Sequence, residues 1–196
     1  MKKQIAILVA AGAVLCAFCG CEKGGDPDEY DILNTILGAN YSKIELTVKD
    51  EFEENVSLES TYTISYSSSG ITVSYSVERF SQASLDDPDT GAVKTLTGTA
   101  VIQNGTVTSV TGDDIGLTAD IAKPSLTFKS SYFKNALFTS EFLVADVADP
   151  VGFLGTSISC SNMKIAATYG KVFKSIDITY TSAGGSNVEY VYTFTF

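Results

Sequence analysis

The stretch "TYTISYSSSGITVSYSV" (residues 61–77) decides the fold class. Apolar and polar residues alternate along both of its arms, which is the period of a half-buried antiparallel strand. The polar "SSSG" from Ser67 to Gly70 predicts a four-residue hairpin loop between the arms. That loop sets the pairs on one face as Tyr66 with Ile71, Ile64 with Val73, and Tyr62 with Tyr75. Register and alternation therefore agree on a β-hairpin.

The same alternation extends the predicted sheet on both sides of this hairpin. Before it, "KIELTVK" (43–49) alternates apolar residues with charged or hydroxyl residues. After it, "TLTGTAVIQNGTVTSV" (95–110) holds Asn104-Gly105 between two β-rich runs, and both turn residues tolerate positive φ. Further strands are predicted over residues 56–66, 115–121, 126–133, 136–147, 163–169, 173–181 and 188–196.

One short helix is predicted before the first strand. The segment "DEYDILNTILGANY" (28–41) places apolar residues at helical spacing behind Asp28, which can cap the first turn. The predicted apolar stripe consists of Ile32, Leu33, Ile36 and Leu37. Such a stripe needs a surface to cover, and the sheet that follows is the candidate. Asp149-Pro150 predicts one further helical turn or loop between strands.

These elements predict an all-β fold, in which a single antiparallel domain of about ten strands forms a curved half-barrel, a barrel or a sandwich with one short N-terminal amphipathic helix. The order of helix and long meander is similar to that of the LolA and LppX type of half-barrel, which implies a hollow that carries lipid. The closing "YVYTFTF" (190–196) is similar to the last strand of outer-membrane β-barrels, which offers a membrane barrel as the alternative fold.

The N-terminus predicts export. Met1-Lys2-Lys3 precedes an apolar run of about 14 residues, which is short of the roughly 20 that a membrane helix needs. The "FCGC" at the end of this run resembles the lipobox of bacterial lipoproteins. That resemblance implies a signal peptide over residues 1–20 and lipidation of Cys21 by diacylglycerol and a third acyl chain, which would anchor the protein stably in a membrane.

The acidic, glycine-rich residues 21–29 predict a flexible tether to the folded domain, residues 30–196. The expected location is the outer membrane, on its periplasmic or cell-surface side. The net charge of −10 disfavours nucleic acid as a partner, because phosphates would repel the chain. Once the signal is removed and Cys21 is lipidated, Cys160 is the remaining thiol, so no disulfide is expected within the domain.

The chain contains no histidine, which excludes Ser-His-Asp and Cys-His catalysis and predicts that Cys160 is a structural thiol. A glycosidase built from two carboxylates stays open as a weaker alternative. The carboxylates considered for such a glycosidase are predicted to lie in solvated loops. They are Glu51, Glu53, Glu54, Asp86, Asp87 and Asp89. Turn chemistry explains the last three as well as calcium binding does. We therefore predict no metal site, no cofactor and no enzymatic activity.

Tyrosine is the remaining material for a binding site. Six tyrosines fall on the apolar side of their strands, where they belong to the core or line a wet cavity. They are Tyr62, Tyr66, Tyr75, Tyr180, Tyr190 and Tyr192. The predicted function is a non-enzymatic lipoprotein of the cell envelope that binds an apolar or amphipathic ligand. The alternative is a surface module that binds glycan or protein through exposed loops such as Gln82 to Lys94.

Overall fold

Ten strands form the body of the protein in a computed structural model that describes residues 27–53, 56–80 and 93–196. The predicted signal peptide, Cys21, residues 22–26 of the predicted tether and most of the predicted 82–94 loop lie outside the described residues, as do Glu54, Asp86, Asp87 and Asp89. The strands are β1 (Lys43–Glu53), β2 (Val56–Ser67), β3 (Gly70–Phe80), β4 (Val93–Gln103), β5 (Thr106–Gly112), β6 (Phe133–Phe138), β7 (Phe142–Val147), β8 (Cys160–Tyr169), β9 (Phe173–Ser182) and β10 (Asn187–Thr195). The helices are α1 (Pro27–Leu37) and α2 (Pro150–Leu154).

All ten strands belong to one antiparallel sheet with the order β5-β4-β3-β2-β1-β10-β9-β8-β7-β6. The chain starts at the centre of the sheet and winds outward to β5. It then crosses to the opposite edge and winds back from β6 to β10, which pairs with β1. The sheet is open, since β5 and β6 lie at its two edges. The all-β prediction is therefore confirmed, and the domain is neither a sandwich nor a closed barrel.

The hairpin that decides the fold class has the predicted register. Tyr62 pairs with Tyr75, Ile64 with Val73, and Tyr66 with Ile71. Its loop is shorter than predicted, because Ser67 and Gly70 still pair and leave only two residues in the turn. The second hairpin turns at Asn104-Gly105, as predicted. Both residues have positive φ, at 51° and 71°.

Residues 113–132, named here the crossing segment, correct two strand predictions. Residues 115–121 and 126–132 are not strands but irregular chain with two short 3-10 turns, Ala119–Ala122 and Ser130–Tyr132. The predicted strand 136–147 is two strands instead. Thr139 Oγ1 accepts from the backbone N–H groups of Glu141 and Phe142, at 3.1 Å each, and this side-chain turn reverses the chain.

Helix α1 packs on the inner face of the sheet, which is the face that also carries the crossing segment. Tyr30, Leu33 and Leu37 are its buried residues. Ile32 is 56% exposed, so its assignment to the buried stripe was wrong, and Ile36 is half-buried. The helix begins at Pro27, which places Asp28 inside the first turn rather than at the cap and makes residues 27–29 of the tether helical.

A two-way hydrogen bond ties α1 to the crossing segment. Asn34 donates from Nδ2 to the carbonyl of Phe128 at 2.7 Å and accepts from the Phe128 N–H at 2.8 Å. The amide side chain thus pairs with the backbone in the way that a neighbouring strand would. None of the described helices has the length and apolar character needed to cross a membrane.

Candidate functional site

The inner face of the sheet carries two kinds of aromatic packing. A phenylalanine cluster lies beneath α1 and α2, and consists of Phe128, Phe133, Phe153, Phe173 and Phe194. A tyrosine region occupies the other part of the face, and consists of the six tyrosines predicted from the sequence. Only Tyr75 among the six is fully buried, at 5% exposure. The other five are half-buried, so this part of the face is not sealed from water.

A cavity of about 250 Å³ lies between the crossing segment and the middle of the sheet. Its sheet side is formed by Leu46 of β1, Ile178 and Tyr180 of β9, and Tyr190 and Tyr192 of β10. Its other side is formed by Asp120, Ile121, Lys123, Pro124, Ser125, Leu126, Leu154, Thr156 and Ile158. Three of the six predicted tyrosines therefore meet in one cavity.

A second, more open cavity of about 450 Å³ lies on the other side of Lys123. It is formed by the end of α1, the residues that follow it up to Tyr41, Ile44, and the β2 end that carries Tyr66. Lys123 borders both cavities. Tyr62 and Tyr75 line neither cavity. They pack instead between the sheet and the start of the crossing segment, beside Val107, Ile115 and Leu117.

Two tyrosine hydroxyls fasten the crossing segment to the sheet. Tyr66 donates to the carbonyl of Ala122, and Tyr75 donates to the carbonyl of Asp113. Irregular chain has carbonyls that no strand partner uses, and these must find donors when they approach the core. The Tyr75 hydroxyl passes over Gly98, where a Cβ would collide with it. Glycine at this position therefore makes room for the contact.

Burial favours the neutral form of two cavity tyrosines, Tyr180 and Tyr192. The pKa of Tyr192 is raised to about 12, chiefly by burial and further by Tyr190. The pKa of Tyr180 is raised by burial, by its hydrogen bond to Tyr190, and by the charge of Asp50. The rings of Tyr180 and Tyr190 stack with their centroids 6.1 Å apart. The site consequently offers uncharged hydroxyl groups beside apolar surface.

Sequence reasoning missed the cavity residues of the crossing segment, because it assigned residues 115–121 and 126–133 to strands and gave residues 122–125 no role. Ile121 and Leu126 cover the cavity and Lys123 borders it. Pro124 marks a break between those two predicted strands, since proline has no N–H to donate to a sheet, but it does not show that both flanking segments leave the sheet. No sequence pattern singled out Asp50 of β1.

The groups considered for catalysis are dispersed among the described residues. Cys160 is a free, half-buried thiol, and burial raises its pKa, which disfavours the reactive thiolate. Glu51 and Glu53 lie in β1 rather than in a loop, which corrects that assignment. Within the described part of the chain, no three His, Cys, Asp or Glu residues are arranged to hold a metal ion.

The sequence matches no family model and no curated protein in the comparisons with known proteins.

Proposed function

We propose that the protein is a cell-envelope lipoprotein whose β-domain binds a small amphipathic ligand, without catalysis, in the cavity beneath the crossing segment. The observation that carries this proposal is the convergence of Tyr180, Tyr190 and Tyr192 with Leu46 and Ile178 in that cavity. Ligand cavities combine apolar walls with a few placed polar groups, and this lining has that composition.

The lining separates into an apolar floor and a polar rim. Leu46 and Ile178 of the floor and Leu126 of the cover are buried, whereas Asp120 and Lys123 are exposed at the rim. An amphipathic molecule would place its hydrocarbon part on the floor and its polar part among the tyrosine hydroxyls or at the rim. A purely polar ligand would leave the floor without an apolar partner.

The size of the cavity favours a small ligand or one end of a longer one. A volume of 250 Å³ equals that of about eight liquid water molecules. Typical ligand cavities measure about 300–1,000 Å³. A whole membrane lipid would need both cavities, which meet at Lys123. The proposed ligand is therefore a single-chain amphiphile.

A tryptophan reporter tests the proposal, because the natural chain contains no tryptophan. Tyr192→Trp places the probe in the cavity wall, and Thr179→Trp places a control on the exposed outer face of β9. The chain 22–196 is suitable, because every buried core residue of the described part lies between Tyr30 and Phe194. Octyl amphiphiles should change the emission of Tyr192→Trp saturably and leave Thr179→Trp unchanged. Equal responses, or none, would argue against a cavity ligand.

The anchor has its own test. Mass spectrometry of the protein extracted from membranes should find Cys21 as the N-terminal residue, with the added mass of diacylglycerol and a further acyl chain. A Cys21→Ala variant should lack every acyl mass. An unmodified cysteine in the natural protein would remove the lipoprotein part of the proposal and leave the cavity part intact.

Exposed apolar residues favour a surface module for glycan or protein as the second candidate. Phe52, Val56 and Val93 are 42%, 41% and 43% exposed, and Phe52 contacts Phe80 with ring centroids 5.4 Å apart. These residues lie where the sheet leads into residues 54–55 and 81–92. This candidate predicts that Phe52→Ser abolishes binding to a glycan array or to a protein partner. It also predicts that amphiphiles do not change the emission of Tyr192→Trp.

A further inference from the structure

Asp50 is a carboxylate on the inner face of β1. Leu46, Val48 and Asp50 occupy successive inner-face positions of this strand, and Leu46 lines the 250 Å³ cavity. Asp50 pairs with Val188 of β10, and Val188 pairs in turn with Tyr180 of β9. Asp50 therefore lies just beyond the cavity lining, next to its tyrosine end and roughly 13 Å along the strand from Leu46.

One oxygen of this carboxylate is buried without a partner. Among the described residues, no donor hydrogen bonds to Asp50 Oδ1, which is shielded from solvent. The ion pairs of β1 use Lys43 with Glu45 and Lys49 with Glu59, and neither includes Asp50. A buried carboxylate oxygen without a donor is costly, because it loses its hydration and receives nothing in return. A bound cation would remove that cost.

Aromatic rings stand next to the carboxylate. Tyr190 pairs with Val48, which makes it a diagonal neighbour of Asp50 on the same face. Tyr180 stacks on Tyr190, and the charge of Asp50 acts on the Tyr180 hydroxyl. Ring faces attract ammonium groups, and the attraction is stronger where water is partly excluded. A carboxylate beside two such rings matches the chemistry of an alkylammonium group.

We propose that the cavity selects amphiphiles with a cationic head, holding an ammonium group between Asp50 Oδ1 and the rings of Tyr180 and Tyr190 while the hydrocarbon chain lies along Val48 and Leu46. This inference rests on the proposed function, which it deepens by naming the ligand class. A free amine and the headgroup of an aminolipid both supply such an ammonium group, with the same charge and N–H donors.

The experiment measures the binding of n-octylamine and of n-octanol to residues 22–196 that carry Tyr192→Trp. The readout is the change in tryptophan emission. The two probes have the same hydrocarbon chain and differ in charge at neutral pH. Octylamine should bind at least about tenfold more tightly, which is the difference that one charge-assisted hydrogen bond supplies. Asp50→Asn should abolish this difference and preserve octanol binding. The retained octanol signal shows that the variant is folded.

The matched control is Asp177→Asn. Asp177 lies on the opposite face of the sheet, beside Glu189, so its substitution removes the same charge without touching the cavity. It should leave the tenfold preference intact.

A short-chain phosphatidylethanolamine is then added as competitor. Displacement of octylamine identifies an aminolipid headgroup as the favoured source, and no displacement identifies a free amine.

The outcomes separate the two proposals. If octanol and octylamine bind equally, or if Asp50→Asn leaves the preference unchanged, the cationic-head inference is overturned and the amphiphile cavity stands. If neither probe binds, the proposed function fails and the inference fails with it. If Asp177→Asn lowers the preference as much as Asp50→Asn does, the effect is one of net charge and the inference is overturned.

Discussion

The phenylalanine cluster and the tyrosine region cover the same face of one sheet, yet they are held together differently. In the phenylalanine cluster, ring packs on ring, with centroids 5.3–6.1 Å apart, and α1, α2 and the end of the crossing segment that carries Phe128 supply the cover. Helices satisfy their own backbone groups, so a purely apolar face suits them. In the tyrosine region the cover is irregular chain, and Tyr66 and Tyr75 donate to its carbonyls. Two of the six tyrosines thus meet the hydrogen-bonding needs of the segment above them.

The comparison also explains where the cavity lies. Phe128, Phe153 and Phe173 are almost completely buried. Over the tyrosines, the hydroxyls of Tyr66 and Tyr75 bond the crossing segment to the sheet. A space therefore persists between Ile121 and Tyr192 that a helix with an apolar stripe would have filled.

Truncation inside the phenylalanine cluster should have the largest effect. Phe173→Ala removes a side chain with 0% exposure that contacts Phe128, Phe194 and Tyr169. The lost burial and the resulting hole should lower the free energy of unfolding by about 3–5 kcal/mol. Urea denaturation followed by circular dichroism measures it. A loss below about 1 kcal/mol would mean that the cluster is not the main source of stability.

The link between α1 and the crossing segment should rank second. Asn34→Ala removes both hydrogen bonds to Phe128 and leaves that backbone N–H and carbonyl without these partners. We expect a loss of about 2–3 kcal/mol, from the same denaturation experiment. The adjacent Thr35→Ala is the control, because its hydroxyl makes only an exposed bond to Asp31. Equal effects of the two variants would show that helix propensity, rather than the link, is being measured.

Removal of a single hydroxyl should have a smaller effect. Tyr66→Phe deletes the donor to Ala122 and keeps the ring, so stability should fall by about 1 kcal/mol. Tyr75→Phe should behave alike through its bond to Asp113. Hydrogen exchange should show faster exchange in the crossing segment and unchanged protection beneath α1. If exchange becomes faster to the same extent in the crossing segment and beneath α1, the two regions are not stabilised separately.

Alkaline pH should also lower stability, and only in a narrow pH range. The pKa of Tyr66 is raised to about 12 by burial, and that of Tyr192 is raised to about 12 by burial and Tyr190. Because the folded pKa exceeds the unfolded value of about 10, the folded state keeps protons that the unfolded state loses above it. Stability should therefore be unaffected below pH 10 and decline as the pH rises from 10 to 12. Tyr66→Phe should make that decline shallower, as melting curves at several pH values would show.

The phenylalanine cluster could be predicted only as a set of apolar positions, whereas the tyrosine region could be predicted residue by residue. The six tyrosines lie in strands whose alternation is local, and this alternation assigns each of them to the inner face. Their distribution between two cavities and a buried contact depends on which other segment covers them. That segment is far away in sequence, and no local pattern identifies it.

The sequence by itself determined the strand type, the register of the Tyr62–Tyr75 hairpin and the turn at Asn104-Gly105, because each depends on side-chain period or on backbone freedom within a few residues. Only the tertiary structure decided that residues 115–121 and 126–132 cross the sheet instead of joining it. Leu126 and Phe128 are buried alternately, as in a strand. Alternate burial arises wherever extended chain lies on an apolar face, but a strand also needs a neighbour to receive its backbone hydrogen bonds, and only the whole fold determines which segments obtain one.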